Sequence, residues 1–379
     1  MLLVSKISRR LKEIVNVIKT FPENLQTSLV PSEERKSNLR ILLECLYLCA
    51  RWGPMGYVFH FSLKMDRKGV KLREHVTEGE FVRLREFVNF NYPSPKLAYP
   101  GITKDKILSK KLLAALGASV PVQYCSVTLE NGDLYCRDEE GRPVNLEQLR
   151  NKLLCYKPVE AECGDGVMMF CILDNGQAQL NGENCSLQSL KDNMVSQIKA
   201  WGRGMIEDRI VQHPDLANLY SKSVNSLRII TVLDETDKNG VRLLGAFLRV
   251  GAAGNNVDNY AVGGLIINVK PDGKLEKYGY IRPEYGNAET MVHPDTGITL
   301  ENFSVPFFEE AISLCIKIHR QLPGIYSIGW DVAITAEGPL IVEINDNWEL
   351  EPIEHCTGQG LRREYEETFV ATARKLGKR

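Results

Sequence analysis

Apolar residues recur every three or four positions through the first part of the chain, a spacing typical of helices that bury one face. The spacing is seen at Leu11, Ile14, Val15 and Ile18, and again in the segments 39–50 and 80–88. Prolines at positions 93, 95 and 100 follow and indicate a connector. We therefore predict a mainly helical N-terminal region over residues 1–100.

A further helix is predicted directly after this connector. Leu108, Leu112 and Leu116 are four residues apart, so they would share one helical face. Thr103 is a candidate N-cap in front of them, and Gly117 favours the end of the helix. The pattern predicts a helix that begins after Thr103 and ends before Gly117.

Beyond this helix the pattern changes to short apolar runs separated by turn residues, which indicates strands. In a first block we predict strands at 120–127, 153–157 and 168–173 and a helix at 187–201. In a second block we predict strands at 227–233, 241–250 and 263–269, a helix at 305–322, and a hairpin of 329–334 with 340–344. Two such blocks predict an α+β fold of two lobes. We place the lobes at residues 101–205 and 206–379, the second closing with a C-terminal helix.

The composition excludes several function classes. In 379 residues, 47 lysines and arginines stand against 48 aspartates and glutamates, so the net charge is −1. This balance gives no electrostatic argument for binding nucleic acid or an anionic membrane. No apolar run reaches the roughly 20 residues of a transmembrane helix, and the N-terminus lacks a signal-peptide pattern. We expect a cytoplasmic protein with no nucleic-acid partner and no transmembrane segment. Peripheral membrane association and the oligomeric state stay open.

Three side chains with oxygen donors lie in the predicted C-terminal hairpin. Glu343 and Asn345 are two residues apart on a strand and therefore share one face. A tight turn at 337–339 would fold Asp331 back to lie roughly opposite Glu343. Such oxygens suit a hard cation, Mg²⁺ or Mn²⁺. A metal site and surface carboxylates on an edge strand are the two interpretations of this pattern.

A lysine at a predicted strand end precedes a loop that contains glycines. Lys157 ends the apolar run, and Gly164, Asp165 and Gly166 lie in the loop that follows. A lysine can hold a phosphate as a point charge, and glycines let backbone N–H groups approach phosphate oxygens. The pattern therefore indicates either a phosphate-binding loop or a hairpin with a long polar loop.

Other charged residues lie near segment ends or within apolar strands. Lys106 is near the start of the predicted helix, where it would face an anion together with the helix N-terminus. Arg228 and Arg249 lie within apolar strands, so each is expected to point at a partner or a ligand. A buried structural salt bridge is the alternative for either arginine.

The junction between the two blocks is an apolar run that turns acidic. It is a candidate hinge that would hold an adenine edge, and it includes Glu207, Asp208, Arg209 and Ile210. Several other catalytic motifs are absent, because the sequence contains no GxSxG, no HExxH, no GxxxxGK[ST] and no GxGxxG. Serine hydrolases, zinc proteases and P-loop kinases therefore lack their defining residues here.

In this order along the chain, the elements resemble the ATP-grasp superfamily. The run 106–110 resembles its first lysine-bearing helix and the stretch 157–166 resembles its phosphate-covering loop. The metal ligands of the superfamily are matched by Asp331, Glu343 and Asn345. The runs 223–228, 329–331 and 343–348 look like the sugar-transfer-associated ATP-grasp family in particular. The resemblance covers about residues 100 to 350.

This resemblance implies two α+β lobes that enclose ATP, preceded by a helical N-terminal region. It implies phosphate contacts from Lys106 and Lys157, with a loop closing over the phosphates through Gly164, Asp165 and Gly166. It implies that the adenine is held by Glu207 and by the backbone of Asp208, Arg209 and Ile210. It also implies one or two magnesium ions, bridging the β- and γ-phosphates, on Asp331, Glu343 and Asn345.

The same resemblance implies a reaction in which a carboxylate takes up the γ-phosphoryl group and an amine then displaces phosphate. Arg228 and Arg249 would stabilise the transferred group or hold the carboxylate, because residues 329–330 stand where peptide-forming relatives carry an arginine. Asp258 and Asn259 would shape the acceptor side. We expect a carboxylate–amine ligase acting on a sugar acid, amino acid or peptide in polysaccharide biosynthesis. A phosphotransferase and a non-catalytic nucleotide-binding partner of a polysaccharide pathway are the alternatives.

Overall fold

The computed structural model of the protein describes residues 2–52, 60–161, 164–282, 285 and 289–378. Glu162 and Cys163, which belong to the predicted phosphate-covering loop, lie outside the described residues. In chain order the helices are α1 Leu2–Gln26, α2 Asn38–Trp52, α3 Glu78–Asn91, α4 Lys106–Ala115, α5 Leu187–Trp201, α6 Pro214–Leu219, α7 Phe308–His319, α8 Glu351–Thr357, α9 Arg362–Tyr365 and α10 Ala371–Lys375.

The strands form two antiparallel sheets. In chain order they are β1 Gln123–Glu130, β2 Asp133–Arg137, β3 Leu154–Pro158, β4 Met168–Ile172, β5 Gln177–Leu180, β6 Glu183–Ser186, β7 Gly204–Asp208, β8 Ser226–Leu233, β9 Val241–Val250, β10 Leu265–Val269, β11 Leu275–Ile281, β12 Glu289–Thr290, β13 Ser327–Thr335 and β14 Gly338–Asn345. The predicted α+β fold with two lobes is therefore confirmed.

The N-terminal region is helical, as predicted. α1 and α2 pack against each other and share a small core with Phe61, Leu63 and Met65. Among the described residues before position 101 no strand forms, and Arg35 and Arg67 meet only in an isolated bridge. Within the described ranges, none of the helices combines the length and the apolar content that crossing a bilayer would require.

The first sheet has seven strands in the order β2-β1-β7-β3-β4-β5-β6. α5 packs on it because Leu190, Met194 and Ile198 are four residues apart and all buried in the core of this sheet. At the start of α5, Ser186 Oγ accepts a hydrogen bond of 3.0 Å from the Ser189 backbone N–H. The sheet and this helix form one layered unit around a single core.

The second sheet has seven strands in the order β12-β11-β10-β9-β8-β13-β14 and is covered on both faces. α7 packs on one face through residues such as Phe308 and Cys315. α3 and the C-terminal helices pack on the other face through residues such as Phe81 and Phe369. Since β8 and β13 are central and buried on both sides, they appear in the sequence as nearly continuous apolar runs.

The first sheet continues further along the chain than the predicted division into lobes. β7, Gly204–Asp208, lies between β1 and β3 in the middle of that sheet. A boundary between residues 205 and 206 would cut this strand, so a boundary after Asp208 agrees better with the pairing. The short strands β2, β5, β6, β11 and β12 were not predicted, because they are brief and mostly polar or only partly buried.

The N-cap of α4 differs from the prediction. Asp105 Oδ1 accepts hydrogen bonds of 3.0 Å from the backbone N–H groups of Ile107 and Leu108. Thr103 was predicted as the cap, but its Oγ1 lies 2.6 Å from Asp346 Oδ1 instead. Aspartate caps a helix as well as threonine does, so the sequence allowed either residue. The tertiary contact of Thr103 decided between them.

The buried face of α4 also differs from the predicted one. Leu108 is half exposed, whereas Ser109, Lys110 and Leu113 are buried. The helix is therefore rotated relative to the predicted leucine stripe. As a consequence Lys110 points into the protein, toward the first sheet.

α3 braces the segment that follows β14. Asn89 Nδ2 donates a hydrogen bond of 3.0 Å to the Asp346 carbonyl, and Asn89 Oδ1 accepts one of 3.0 Å from the Ser327 backbone N–H. The Arg85 guanidinium donates to the Trp348 carbonyl. All of these donors are buried, so removing a partner would leave a backbone group unsatisfied.

A buried histidine joins α7 to the centre of the second sheet. His319 Nε2 lies 3.0 Å from the Ile325 carbonyl, so this nitrogen carries the proton, and Nδ1 accepts from Thr231 Oγ1 at 2.7 Å. Trp330 Nε1 donates to the same threonine oxygen at 2.7 Å. Burial lowers the pKa of His319 to about 4, because the charged imidazolium would lose its hydration.

We predict that protonation of His319 destabilises the fold. The stabilisation due to neutral His319 is complete above the ordinary histidine pKa of 6.5 and is lost as the pH falls toward 4, because the unfolded chain binds the proton more readily. Within that window the loss is about 1.4 kcal/mol per pH unit. The measurement is urea unfolding at several pH values for the wild type and His319→Gln, which keeps one donor and one acceptor but does not titrate. Equal pH slopes in the two proteins would contradict the prediction.

Candidate active site

A cavity of about 370 Å³ lies between the two sheets. Its walls come from β3, β4 and β7 of the first sheet and from β8, β9, β13 and β14 of the second. Of the predicted site residues, Gly166 and Arg209 do not line the cavity. Those that do are Lys106, Lys157, Gly164, Asp165, Glu207, Asp208, Ile210, Arg228, Arg249, Asp331, Glu343 and Asn345.

The C-terminal hairpin places the three predicted oxygen donors together. β13 and β14 pair with Asp331 directly opposite Glu343 and with Gly329 opposite Asn345. This register confirms the predicted position of Asp331, and a bulge follows between Asp331 and Val332. Metal binding by these residues stays a prediction.

Two arginines from neighbouring strands hold Asp331. Arg228 Nε lies 2.8 Å from Asp331 Oδ1, and Arg249 Nη2 lies 3.0 Å from Asp331 Oδ2. β8 pairs with both β13 and β9, which brings the two arginines to the same carboxylate. The sequence analysis left a ligand and a buried ion pair as alternatives for these arginines, and the structure shows an ion pair inside the cavity.

Arg249 has a second set of partners on its other side. Its Nη2 and Nε donate to Ser226 Oγ at 2.7 and 3.1 Å. Ser226 Oγ in turn donates to Asp258 Oδ2 at 2.5 Å, and Asp258 Oδ2 lies 3.7 Å from Arg249 Nε. Arg249 is therefore oriented by three groups, of which Ser226 had no role in the sequence analysis.

The electrostatic balance differs between the two arginines. Burial lowers the pKa of Arg228. Burial also acts to lower the pKa of Arg249, but the charges of Asp258 and Asp331 outweigh it and the pKa is raised. Burial raises the pKa of Asp258. Arg228 therefore has the less complete charge compensation, and an anion in the cavity would supply more of it.

Gly329 leaves the space that Arg228 occupies. A Cβ atom on this glycine would lie 3.0 Å from Arg228 Nη1 and 2.7 Å from Trp348 Cβ. A side chain here would therefore have to displace one of these groups.

Lys106 links the first lobe to the C-terminal hairpin. Its Nζ lies 3.5 Å from Glu343 Oε1 and donates to the Ala161 carbonyl at 2.5 Å. The lysine at the start of α4 is thus held between the predicted phosphate-covering loop and the predicted metal site.

Glu207 bridges two lysines in the wall opposite this hairpin. Its Oε1 lies 2.7 Å from Lys157 Nζ, and its Oε2 forms an ion pair with Lys110 Nζ. Glu207 is fully buried and Lys110 nearly so. Both Glu207 oxygens are therefore committed to lysines, and its predicted contact with adenine stays a prediction.

Lys110 belongs to the lysine-bearing run 106–110, but the sequence analysis did not assign it to the site. Its signal in the sequence was its position four residues after Lys106, which places both on nearly the same side of α4. The structure uses that side to reach two different groups, since Lys106 contacts Glu343 and Lys110 contacts Glu207.

The backbone after β7 is partly committed to hydrogen bonds within the protein. The Asp208 N–H donates to the Val122 carbonyl and the Arg209 N–H donates to the Leu153 carbonyl, both at 2.9 Å. An adenine contact from this segment would therefore have to use other backbone groups or Ile210, which lines the cavity.

Only part of the glycine loop 164–166 lines the cavity. Gly164 and Asp165 line the cavity. Gly166 instead packs behind the loop at a positive φ of 70°, where a Cβ would lie 2.7 Å from Pro158 Cγ and 2.6 Å from Gln197 Oε1. Gly166 is therefore required for close packing on α5 as well as for its left-handed conformation.

A further group of residues that line the cavity was not identified from the sequence. It combines aromatic and charged side chains from the second lobe, including Tyr260, Arg282, Trp348 and Glu349. The Arg282 guanidinium carbon lies 5.8 Å from the centre of the Tyr260 ring. No short motif announces these residues, because they lie in three separate segments of the sequence.

The donor set of the hairpin fits a hard divalent cation. Two carboxylates and one amide occur on facing strands, and oxygen ligands of this kind suit Mg²⁺. Glu343 is more accessible than Asp331, with 28% against 11% of the side chain exposed. Within the described ranges, no group of three or more His, Cys, Asp or Glu side chains is arranged to hold a metal. The third donor of the predicted set is the amide of Asn345, and Asp331 would be shared with the two arginines.

Comparisons with known proteins relate this architecture to ATP-grasp enzymes. A family model described as sugar-transfer associated ATP-grasp matches residues 85–369. No curated protein matches the sequence.

Among solved structures, the chain is similar to D-alanine–D-alanine ligase from Bacillus anthracis, at 14% identity and a TM-score of 0.40, covering 73% of this chain and 69% of that one. It is similar to the VanG D-Ala:D-Ser ligase from Enterococcus faecalis, at 13% identity and a TM-score of 0.41, covering 72% and 62%. It is also similar to biotin carboxylase from Campylobacter jejuni, at 10% identity and a TM-score of 0.42, covering 76% and 52%.

The family match extends over most of the chain, from α3 through both sheets to the C-terminal helices. It includes every residue that lines the cavity. The chain belongs to the sugar-transfer associated ATP-grasp family.

Proposed function

We propose that this protein is an ATP-dependent carboxylate–amine ligase that acts through an acyl phosphate. The observation that carries the proposal is the meeting of two lysines from the first lobe with the oxygen donors of the second lobe in one cavity. Lys157 lines this cavity and Lys106 Nζ lies 3.5 Å from Glu343 Oε1. Cations on one wall and carboxylates on the other are the arrangement that a triphosphate with a divalent cation requires.

In this proposal ATP lies between the two sheets. Lys106 and Lys157 bind its phosphates, and the loop at Gly164 and Asp165 closes over them. The adenine lies toward Glu207, and contacts come from Ile210 and from backbone groups of Asp208 and Arg209 other than their N–H groups, which are already hydrogen-bonded. Glu207 also keeps Lys157 in place, because its carboxylate lies 2.7 Å from that ammonium.

Magnesium held by Asp331, Glu343 and Asn345 would neutralise charge on the β- and γ-phosphates. Arg228 and Arg249 lie on the same carboxylate, so their guanidinium groups are placed to bind the transferred phosphoryl group or the substrate carboxylate. Such a site acts mainly by positioning and by compensating charge.

The proposed reaction has two steps. An oxygen of the substrate carboxylate attacks the γ-phosphorus. The bond between that phosphorus and the oxygen that bridges the β- and γ-phosphates breaks, and ADP leaves. The amine nitrogen then attacks the acyl carbon, inorganic phosphate leaves with the bonding electron pair, and the amine loses a proton. Each turnover thus yields one ADP, one phosphate and one amide.

The family description supports a setting in sugar transfer, so the acid is proposed to be a sugar acid, an amino acid or a peptide, in polysaccharide biosynthesis. The proposed acceptor side is the part of the cavity lined by Asp258, Asn259 and Tyr260. The proposal includes a cytoplasmic location, where ATP is plentiful, and the described cysteines are all free thiols.

The test is a coupled assay for ADP and free phosphate with magnesium, across pools of amino acids and sugar acids. The ligase proposal expects equal amounts of ADP and phosphate, released only when an acid and an amine are both present. ADP together with a stable phosphorylated product and no free phosphate would identify a kinase and overturn the proposal.

We predict that Glu343→Gln lowers the rate of ATP turnover by about a hundredfold or more, because the amide cannot supply the negative charge that the cation needs. The fold should be unchanged, since this side chain is partly exposed. Steady-state kinetics with the wild type gives the comparison. The matched control is Glu337→Gln at the exposed turn of the same hairpin, which should turn over normally. An undiminished rate in Glu343→Gln would contradict the metal assignment.

We also predict that Glu207→Gln costs about 3–5 kcal/mol of unfolding free energy, because two lysines lose their shared counter-charge in a buried place. Adding Lys110→Met should restore part of this stability by removing one of the two charges. The KM for ATP should nevertheless stay raised in the double variant, because Lys157 has lost its anchor.

Urea unfolding and the KM for ATP measure these two effects separately. Glu183→Gln, on an exposed strand of the same sheet, is the control and should change neither quantity. A double variant with the wild-type KM for ATP would show that Glu207 does not position Lys157.

A further inference from the structure

Helices α1 and α2 carry exposed apolar side chains that the cavity and its chemistry do not use. On α1, Val15 is 49% and Ile18 is 51% exposed, and on α2 the exposed fractions are 68% for Leu39, 55% for Leu43 and 56% for Tyr47. We call these five residues the apolar surface. It lies outside residues 85–369, which the family model matches.

The spacing shows that the exposed residues form a face of each helix. Leu39, Leu43 and Tyr47 are four residues apart and so lie one above another on α2. The opposite side of the same helix is already buried, through Ile41, Cys45 and other core residues. α2 is therefore apolar on two sides, although packing inside this chain requires only one of them.

Basic residues accompany these apolar side chains. Lys12 and Lys19 are exposed on α1. Arg40 is exposed on α2, but its Nε lies 2.7 Å from Glu44 Oε1, so the uncompensated positive charge lies on α1. The local charge is strongly positive, because the first 19 residues contain a single acidic residue, Glu13. Their basic residues are Lys6, Arg9, Arg10, Lys12 and Lys19. The net charge of −1 for the whole chain conceals this local excess.

This charge distinguishes between possible occupants of the surface. If a second copy of the chain packed there about a two-fold axis, each basic residue would face the same basic region of its partner, and like charges would repel. An anionic bilayer presents phosphates to the basic residues and an acyl boundary to the apolar ones. The same features mark helices that lie in the plane of a membrane interface.

We propose that the apolar surface of α1 and α2 adsorbs to an anionic lipid bilayer, with Val15, Ile18, Leu39, Leu43 and Tyr47 at the headgroup–acyl boundary. The flanking lysines and arginines would bind lipid phosphates. The enzyme would then work at a membrane surface, whatever its substrates prove to be.

The experiment is vesicle flotation of the full chain with two lipid compositions, phosphatidylcholine alone and phosphatidylcholine mixed with phosphatidylglycerol. We expect binding to the mixed vesicles, weaker binding to the neutral ones, and a decrease with added salt. Val15→Glu with Ile18→Glu should lower the bound fraction about tenfold or more, because two apolar contacts of about 1.5 kcal/mol each are lost. Leu43→Glu with Tyr47→Glu should act in the same direction.

Leu97→Glu is the matched control, because Leu97 is 61% exposed in the connector before α4 and lies outside the proposed surface. Circular dichroism and the Tm of each variant verify that the substitutions leave the fold intact. The proposal is overturned if the wild type does not float with the anionic vesicles. It is also overturned if analytical ultracentrifugation shows a dimer that only Val15→Glu with Ile18→Glu dissociates, since the occupant is then a second copy.

Discussion

The carboxylate of Asp331 is shared by two buried arginines, and the need to compensate these charges organises the second lobe. An unpaired charge in such a place would cost several kcal/mol, so each group must have a partner within contact distance. Arg228 and Arg249 come from adjacent strands, and Asp331 lies on the next strand of the same sheet. The same constraint explains why Ser226 and Asp258 lie behind Arg249, and why Gly329 has no side chain that would displace Arg228.

The first lobe meets the same constraint with the opposite sign. There a single carboxylate, that of Glu207, compensates the charges of Lys110 and Lys157. Of these two lysines, Lys157 lines the cavity. The two walls approach each other at Lys106 and Glu343, which leaves the positive and negative groups facing one another across the cavity. In the proposed reaction, the positive groups would bind the phosphates and the negative groups would bind the cation. The same side chains would therefore stabilise the fold and also contribute to catalysis.

The N-terminal helices have two separate roles in the fold. α3, whose second half lies within the family-matched residues, supports the cavity, because Arg85 and Asn89 satisfy backbone groups between Asp346 and Trp348, directly after the C-terminal hairpin. α1 and α2 have a core of their own, and Lys64, close to that core in the chain, contacts Glu289 on the second sheet at 2.5 Å. These two helices are therefore attached to the second lobe without forming any part of the cavity, which leaves their outer faces available for another partner.

The sequence by itself determined the elements and the local geometry of the hairpin. Periodicity indicated most helices and the long strands, and a tight turn with a two-residue strand period was enough to place Asp331 opposite Glu343. Most of the site residues predicted from its short motifs do line the cavity. Only the tertiary structure decided which charges pair. Arg228 and Arg249 lie far from Asp331 along the chain, and Lys110 lies far from Glu207, so their contacts depend on the order of strands and on the rotation of α4. Local patterns are set by neighbours a few residues away, whereas these ion pairs exist because separate segments are packed together, and no short window of sequence contains that information.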